Sequence, residues 1–336
     1  MASRPLMFTS VCCRGNQSRR VPFLDEQAVL ARLQKRVARW HLKQRLGIEQ
    51  FNETRVFGQG RNFFHIENWY SVHSLIRHSL RLLLLYGRGK RNARQIQLRH
   101  NSFALKHLPV EFEGFILLQL SDLHLDMADD IPAAISQAIR ELDYDVCVIT
   151  GDLRARTYGD YQAALNGMQA LRQAIDKPVY AVLGNHDSIR MVPDLERMDI
   201  HMLLNEAIAI EKAGRVIYLA GIDDPHYYRA DNLERVTEQI PDGEVSILLS
   251  HSPEIYRHAA YTDFDIMLSG HTHGGQICLP GGLALSYNAR CARSVCKGAW
   301  QYEQLQGYTS VGAGSCVVDV RLNCPPEVTL HKLIRG

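Results

Sequence analysis

The sequence is short of the features that would mark an exported, membrane-spanning or disulfide-built protein. None of its eight cysteines (Cys12, Cys13, Cys147, Cys278, Cys291, Cys296, Cys316 and Cys324) stands in a C-x-x-C pair, which excludes a zinc ribbon and a thioredoxin-type redox motif and suits a reducing compartment. The opening "MASRPLMFTSVCCRGNQSRR" is too polar for a signal peptide. "SRRVPFL" has the look of a twin-arginine signal, yet "DEQAVLARLQKR" stands where its apolar region should be. No run approaches the ~20 apolar residues needed to cross a bilayer. There is no internal repeat, no low-complexity segment and no G-x-S-x-G elbow for a serine nucleophile. What remains is a cytoplasmic globular protein with an ordinary apolar content of 46%.

Acidic residues are scarce in one part of the chain only. Residues 1–110 carry 20 Lys+Arg against 5 Asp+Glu, and the remainder carries 18 against 31, so a basic arm (1–110) precedes an acidic body (111–336). Apolar groups at Leu30, Leu33, Val37 and Trp40, opposite Arg32, Lys35, Arg36, Arg39 and Lys43, predict one basic amphipathic helix over 24–46. Trp69, Val72, Ile76, Leu80 and Leu83 predict a second over 69–86, ending in four consecutive leucines. Such helices fit an interfacial anchor, with residues 24–90 making peripheral contact on the inner membrane. Packing on the body and binding of polyanions are the alternatives; no stable nucleic-acid complex is expected.

From Gly114 onward short apolar runs alternate with helical patterns. "FILLQL", "VCVIT" and "VYAVL" each end in a polar signature, with helices around 131–142 and 159–175 between them, and further strands are predicted at 216–220, 245–250, 264–268, 308–312, 316–322 and 327–333. Continuous apolar strands imply a sheet covered on both faces, and the later strands imply a second sheet packed on it. In such α/β folds, sites gather at the carboxyl ends of strands.

Five strand ends carry chemistry: "SDLHLD" with Asp122 and His124, "TGDL" with Asp152, "GNHD" with Asn185, His186 and Asp187, "SHSP" with His251, and "GHTHGGQ" with His271 and His273. Residues two apart on an extended backbone face the same way, so each His pair or Asp–His pair can address one object. Mixed Asp, Asn and His donors without cysteine suit Mn²⁺, Fe²⁺ or Zn²⁺. The donors outnumber what one ion takes, so two ions sharing a carboxylate are expected; such pairs clamp a phosphate during in-line attack. Asp126, His226 and Arg229 are candidate pocket residues by location, and Cys291, Cys296 and Cys316 are read as structural.

These motifs, in order, resemble the calcineurin-like metallophosphoesterase family, whose pattern is DxH, GD, GNHD or GNHE, a lone His and GHxH. The likeness covers roughly residues 114–276 and implies two packed β-sheets flanked by helices, α/β/β/α. It implies one ion held by Asp122, His124, Asp152 and His273, and another by Asn185, His251, His271 and the shared Asp152. His186 would be the general acid and Asp187 its orienting carboxylate, a helix N-cap being the rival role for Asp187. "GHTHGGQI" with "CPPEVTLHKL" resembles a bacterial branch of phosphodiesterases that includes hydrolases of UDP-2,3-diacylglucosamine. The resemblance implies a phosphodiester or pyrophosphate substrate, with a lipid-linked one among those that this branch allows. A soluble nucleotide or nucleic-acid phosphodiesterase is the alternative, and a non-catalytic scaffold is disfavoured because every ligand position and His186 are retained.

Overall fold

The computed structural model describes residues 23–58 and 70–336; the twin-arginine-like stretch, Cys12, Cys13 and Trp69 lie outside them. Among the described residues β1 (Gln97–Leu105), β2 (Ile116–Leu120), β3 (Val146–Ile149), β4 (Val179–Ala181) and β5 (Ile200–Met202) belong to a first sheet. β6 (Glu206–Lys212), β7 (Arg215–Gly221), β8 (Ser246–Leu249), β9 (Ile266–Ser269), β10 (Gly298–Tyr302) and β11 (Leu305–Thr309) form a second, and β12 (Glu327–Arg335) returns to the first. The orders are β1-β12-β2-β3-β4-β5 and β10-β11-β9-β8-β7-β6.

Every residue of β3, β8 and β9 is buried because both faces of these strands are covered. The pleat then deals neighbours to opposite cores. Leu117, Val148, Ile247 and Leu249 meet between the sheets, whereas Leu118 and Ile149 pack beneath α5 (Ile131–Ile139), α6 (Gln162–Arg172) and α7 (Val192–Arg197). Leu248 and Met267 face outward from the second sheet, against α8 (Leu233–Thr237) and α9 (Tyr256–Ala260). The α/β/β/α layering is the one expected.

The amino-terminal third differs from the expectation. The single helix over 24–46 is two: α1 (Glu26–Arg36), capped by the Asp25 side chain, and α2 (Arg39–Gly58), separated by the extended Val37. Val29, Leu33, Val37 and Leu42 are buried in the same core as α5 to α7, and Arg36 pairs with Glu196 and Glu206. The apolar stripe of α1 is therefore occupied by protein, and membrane contact cannot rest on it. β1 pairs residue for residue with β12, from Gln97 opposite Glu327 to Leu105 opposite Arg335, so the charge boundary at 110 is no packing boundary.

α3 (Tyr70–Leu82) and α4 (Tyr86–Asn92) are broken apart at Leu84, whose φ is 58°. Leu80 and Ile76 pack on Val318, Val320 and Leu322, while Leu75, Leu82, Leu83 and Leu84 face outward, Leu82 and Leu84 at 85% and 88% exposure. The strand predicted at 316–322 is an irregular turn. Its backbone bonds to the Gln276 side chain, which donates to the carbonyls of Cys316 and Val318 and accepts from the Cys316 N–H, in place of a ladder.

Candidate metal centre

The five polar signatures converge where β2, β3, β4, β8 and β9 end. His271 and His273 do not reach the centre from an extended backbone: their φ angles are 70° and 50°, and Asp122, His124 and Asp152 are also left-handed, at 50°, 43° and 57°. Non-glycine residues rarely adopt this region, and its concentration at donor residues is strain held at a site. The turns send the two histidines to different neighbours. His273 Nε2 lies 3.0 Å from His124 Nε2 and 3.4 Å from Asp122 Oδ1, whereas His271 Nδ1 lies 3.2 Å from His251 Nε2. Asp152 stands between, its Oδ2 3.3 Å from His251 Nε2 and 3.9 Å from His124 Nε2.

Two glycines make room for this crowding. A Cβ at Gly184 would fall 2.2 Å from Asp152 Oδ1, and one at Gly270 would fall 1.9 Å from Ser121 Oγ and 2.4 Å from Asp122 Oδ2. These close approaches, more than any turn, account for the first glycine of "GNHD" and of "GHTH".

Backbone carbonyls set the imidazole tautomers. His124 Nδ1 donates to the Arg154 carbonyl (2.8 Å), His251 Nδ1 to the Thr150 carbonyl (2.8 Å) and His271 Nε2 to the Asn288 carbonyl (3.1 Å). Each bond leaves the other ring nitrogen a bare lone pair pointing inward. His251 Nε2 thus faces His271 Nδ1, Asn185 Oδ1 at 2.9 Å and Asp152 Oδ2, all acceptors. Lone pairs gathered this closely need a cation between them, so the residues present fit a divalent metal. Asp122, His124 and Asp152 form one such group, and His124, His273 and Cys316 form another.

The electrostatics show the same demand for positive charge, which a proton on His251 supplies where no ion is bound. Burial pushes the Asp152 carboxyl up, but the His251 and His186 charges outweigh it and hold it well below the usual carboxylate range. Burial opposes an imidazolium at His251, yet Asp152 and Asp122 push that histidine up to about 10. Burial, with His124 beside it, drives His273 well below the ordinary histidine value and keeps the ring neutral, its Nδ1 accepting from Arg321 Nη2 at 3.1 Å.

His186 is buried with its ring edge-on to His124, and Nε2 is 3.9 Å from Asp152 Oδ2. Its Nδ1 meets Thr157 Oγ1 at 3.1 Å, not Asp187. The Asp187 carboxylate instead accepts the backbone N–H groups of Asp152 (2.8 Å), Leu153 (2.9 Å), Arg154 (3.3 Å) and Gly184 (2.9 Å). Asp187 is a positioning residue that ties the β3 and β4 loops together. It is not the N-cap either, since Ser188 caps the turn that follows.

Sequence reasoning missed the residues that brace the donors. Arg154 bonds the His186, Thr157 and Gly159 carbonyls, and the fully buried Arg321 bonds those of Gly314, His273 and Val311. Neither stands in a spacing that a motif would reveal. A cleft of about 220 Å³ opens over the centre, lined by Asp152, Asn185, His186 and His271 on the floor and by Ile76, Ile277, Val317 and Val318 on a wall. Asp126 and Arg229 do not line it: Asp126 accepts the Ala155 N–H and Arg229 is exposed. His226 pairs with Glu254 and lies against the His271 ring. Cys291 and Cys296 stand with sulfurs 3.6 Å apart away from the donors, but Cys316, read as structural, lines the cleft.

A family model described as calcineurin-like phosphoesterase matches residues 115–275. The chain is 30% identical over 257 residues to the uncharacterized metallophosphoesterase YkoQ of Bacillus subtilis, covering 73% of this chain and 93% of that protein. It is 28% identical over 235 residues to the phosphodiesterase YaeI of Escherichia coli, covering 66% and 82% respectively.

Proposed function

The chain belongs to the calcineurin-like phosphoesterase family and is a metal-dependent phosphohydrolase; from that premise we propose that it holds two divalent ions and cleaves a phosphodiester or pyrophosphate in a lipid-linked substrate at a membrane surface. Asp122, His124, Asp152 and His273 would hold one ion, and Asn185, His251, His271 and the shared Asp152 the other. Bound there, Mn²⁺, Fe²⁺ or Zn²⁺ would supply Lewis acidity and an activated water at phosphorus. The observation that carries this reading is the convergence of bare lone pairs beneath a cleft with one apolar wall.

His186 is the general acid in this scheme. Its Nε2 faces the cleft, and when the imidazolium gives up that proton to the leaving oxygen, Thr157 Oγ1 can hold the remaining Nδ1–H. Asp187 keeps the β3 and β4 loops in register so that His186 and Asp152 stay within reach of one phosphate.

The wall supports the proposed substrate class. Ile76 on α3 and Ile277 border the cleft, and the same two segments carry exposed leucines: Leu75, Leu82, Leu83 and Leu84 on one, Leu279, Leu283 and Leu285 on the other. Arg77, Arg81, Arg88 and Lys90 are exposed beside the first set. Apolar residues flanked by cations suit an anionic lipid surface. Among the described residues no helix is long and apolar enough to cross a membrane, so this contact would be peripheral.

The test is hydrolysis of UDP-2,3-diacylglucosamine in mixed micelles and of bis-p-nitrophenyl phosphate in buffer, by the full chain with Mn²⁺. His186→Ala should lower kcat by about 10²-fold while metal content stays constant. Leu82, Leu83 and Leu84 each changed to Ser, in one variant, should slow only the micellar reaction. Turnover of the soluble diester with none of any lipid-linked substrate would move the search to soluble nucleotides.

A further inference from the structure

We infer that Cys316 is a metal ligand, a soft donor added to the ion held by Asp122, His124, Asp152 and His273; the inference rests on the two-ion reading above. The family pattern that the sequence resembles has only oxygen and nitrogen donors, and Cys316 lies outside every one of its motifs.

Its Sγ and nitrogens of His124 and His273 all lie within 4.8 Å of one another, and the Asp122, His124 and Asp152 donors meet the same condition. The two groups share His124, and His273 belongs to the same proposed ligand set, so the thiol adjoins that set from one side. Ion-to-nitrogen bonds of about 2.0–2.1 Å and ion-to-sulfur bonds of about 2.3 Å place tetrahedral donors about 3.6 Å apart, so a thiolate at the 4.8 Å limit of this group would close by about 1.2 Å to share an ion with the two imidazoles. The Sγ also stands 3.7 Å from His186 Nε2, on the cleft side of the centre. Cys316 is not carried there by a wandering loop. Its N–H donates to Gln276 Oε1 and its carbonyl accepts from Gln276 Nε2, both at 2.8 Å, and Gln276 follows the "GHTHGG" turn directly.

A thiol gives up its proton on ligation and becomes the softest donor in the set. Carboxylate and imidazole leave Mn²⁺ competitive, while a thiolate tilts the site toward Zn²⁺, Fe²⁺ and Co²⁺. Cys316 thereby makes this centre more selective for softer ions than an all-nitrogen-and-oxygen site.

Cobalt separates the parts of the argument. The full chain, stripped by a chelator and titrated anaerobically with Co²⁺, should show visible ligand-field bands together with a near-ultraviolet thiolate-to-cobalt band. In Cys316→Ser, and again in Cys316→Ala, the near-ultraviolet band should vanish while the visible bands persist; Cys291→Ser should keep both. Chelator competition should find Zn²⁺ binding about tenfold weaker in Cys316→Ser, with Mn²⁺ binding changed far less. Visible bands without the thiolate band in the unaltered protein would overturn the role of Cys316 and leave the metal centre standing. Equal weakening of Zn²⁺ and Mn²⁺ would make Cys316 structural. No cobalt binding at all would remove the metal centre itself.

Discussion

Asp152→Asn is expected to lower metal-dependent phosphodiester hydrolysis by about 10⁴-fold, equivalent to about 5.5 kcal/mol of transition-state stabilisation. The substitution keeps the shape of the side chain and removes its charge. Asp152 Oδ2 is the oxygen between the two donor groups, 3.3 Å from His251 Nε2 and 3.9 Å from His124 Nε2, and the carboxyl is buried and held ionised by its histidine neighbours. An amide there would remove negative charge from both ions of the proposed pair at once. Its other oxygen accepts the His186 N–H at 2.9 Å, a bond that an amide oxygen can keep, so folding and the placement of His186 should survive. Metal content measured by plasma emission should fall below two ions per chain. A variant that retained two ions and more than a tenth of the rate would remove Asp152 from the shared position.

Arg45→Ala should destabilise the fold by about 3–5 kcal/mol, the usual cost of breaking a buried ion pair from one side. Arg45 is fully buried on α2, 3.2 Å from Asp223 and 3.4 Å from Glu49, with its guanidinium over the Tyr228 ring and one N–H donated to the Asp187 carbonyl. Removing it leaves buried Asp223 with His41, 2.7 Å away, as its remaining basic partner. The urea midpoint should fall at unchanged slope. Arg45→Met combined with Asp223→Asn should cost less than Arg45→Ala, because no full charge is left alone. A shift below 1 kcal/mol for Arg45→Ala would mean that this ion-pair cluster does not hold α2 to the body.

That second result bears on what could be read from the chain. The strands and the donor residues were legible because a covered parallel sheet demands unbroken apolar runs and because its chemistry must sit where those runs end. The role of the amino-terminal third was not. Its net charge suggests a solvent-facing or lipid-facing arm, but charge counts do not distinguish Arg77, which is exposed, from Arg36 and Arg45, which are paired with Glu196, Glu206 and Asp223 across the fold. The amphipathic stripe of α1 was real and faced protein instead of lipid. The placements of Asp187 and Cys316 are illegible for a related reason: adjacency in sequence ties Asp187 to His186, yet at a sharp turn its carboxylate goes to backbone N–H groups, and a residue 43 positions after "GHTH" gives no sign that Gln276 anchors it at the cleft. The paired histidines differ from the expected geometry, since left-handed backbone, not strand alternation, aims them.

The strand order carries a consequence for biosynthesis. β12 lies between β1 and β2, bonded to the first in parallel and to the second antiparallel, yet of the described strands it is the one translated last. Until Glu327 and the residues after it have emerged from the ribosome, β1 has no neighbour and β2 presents an open edge of unpaired N–H and C=O groups, the kind of edge that recruits other chains. The nascent protein must therefore spend most of its synthesis unfinished, in need of shelter. Ribosome-bound chains arrested before Glu327 should be cut rapidly by protease in the first sheet, and chains released after Arg335 should resist.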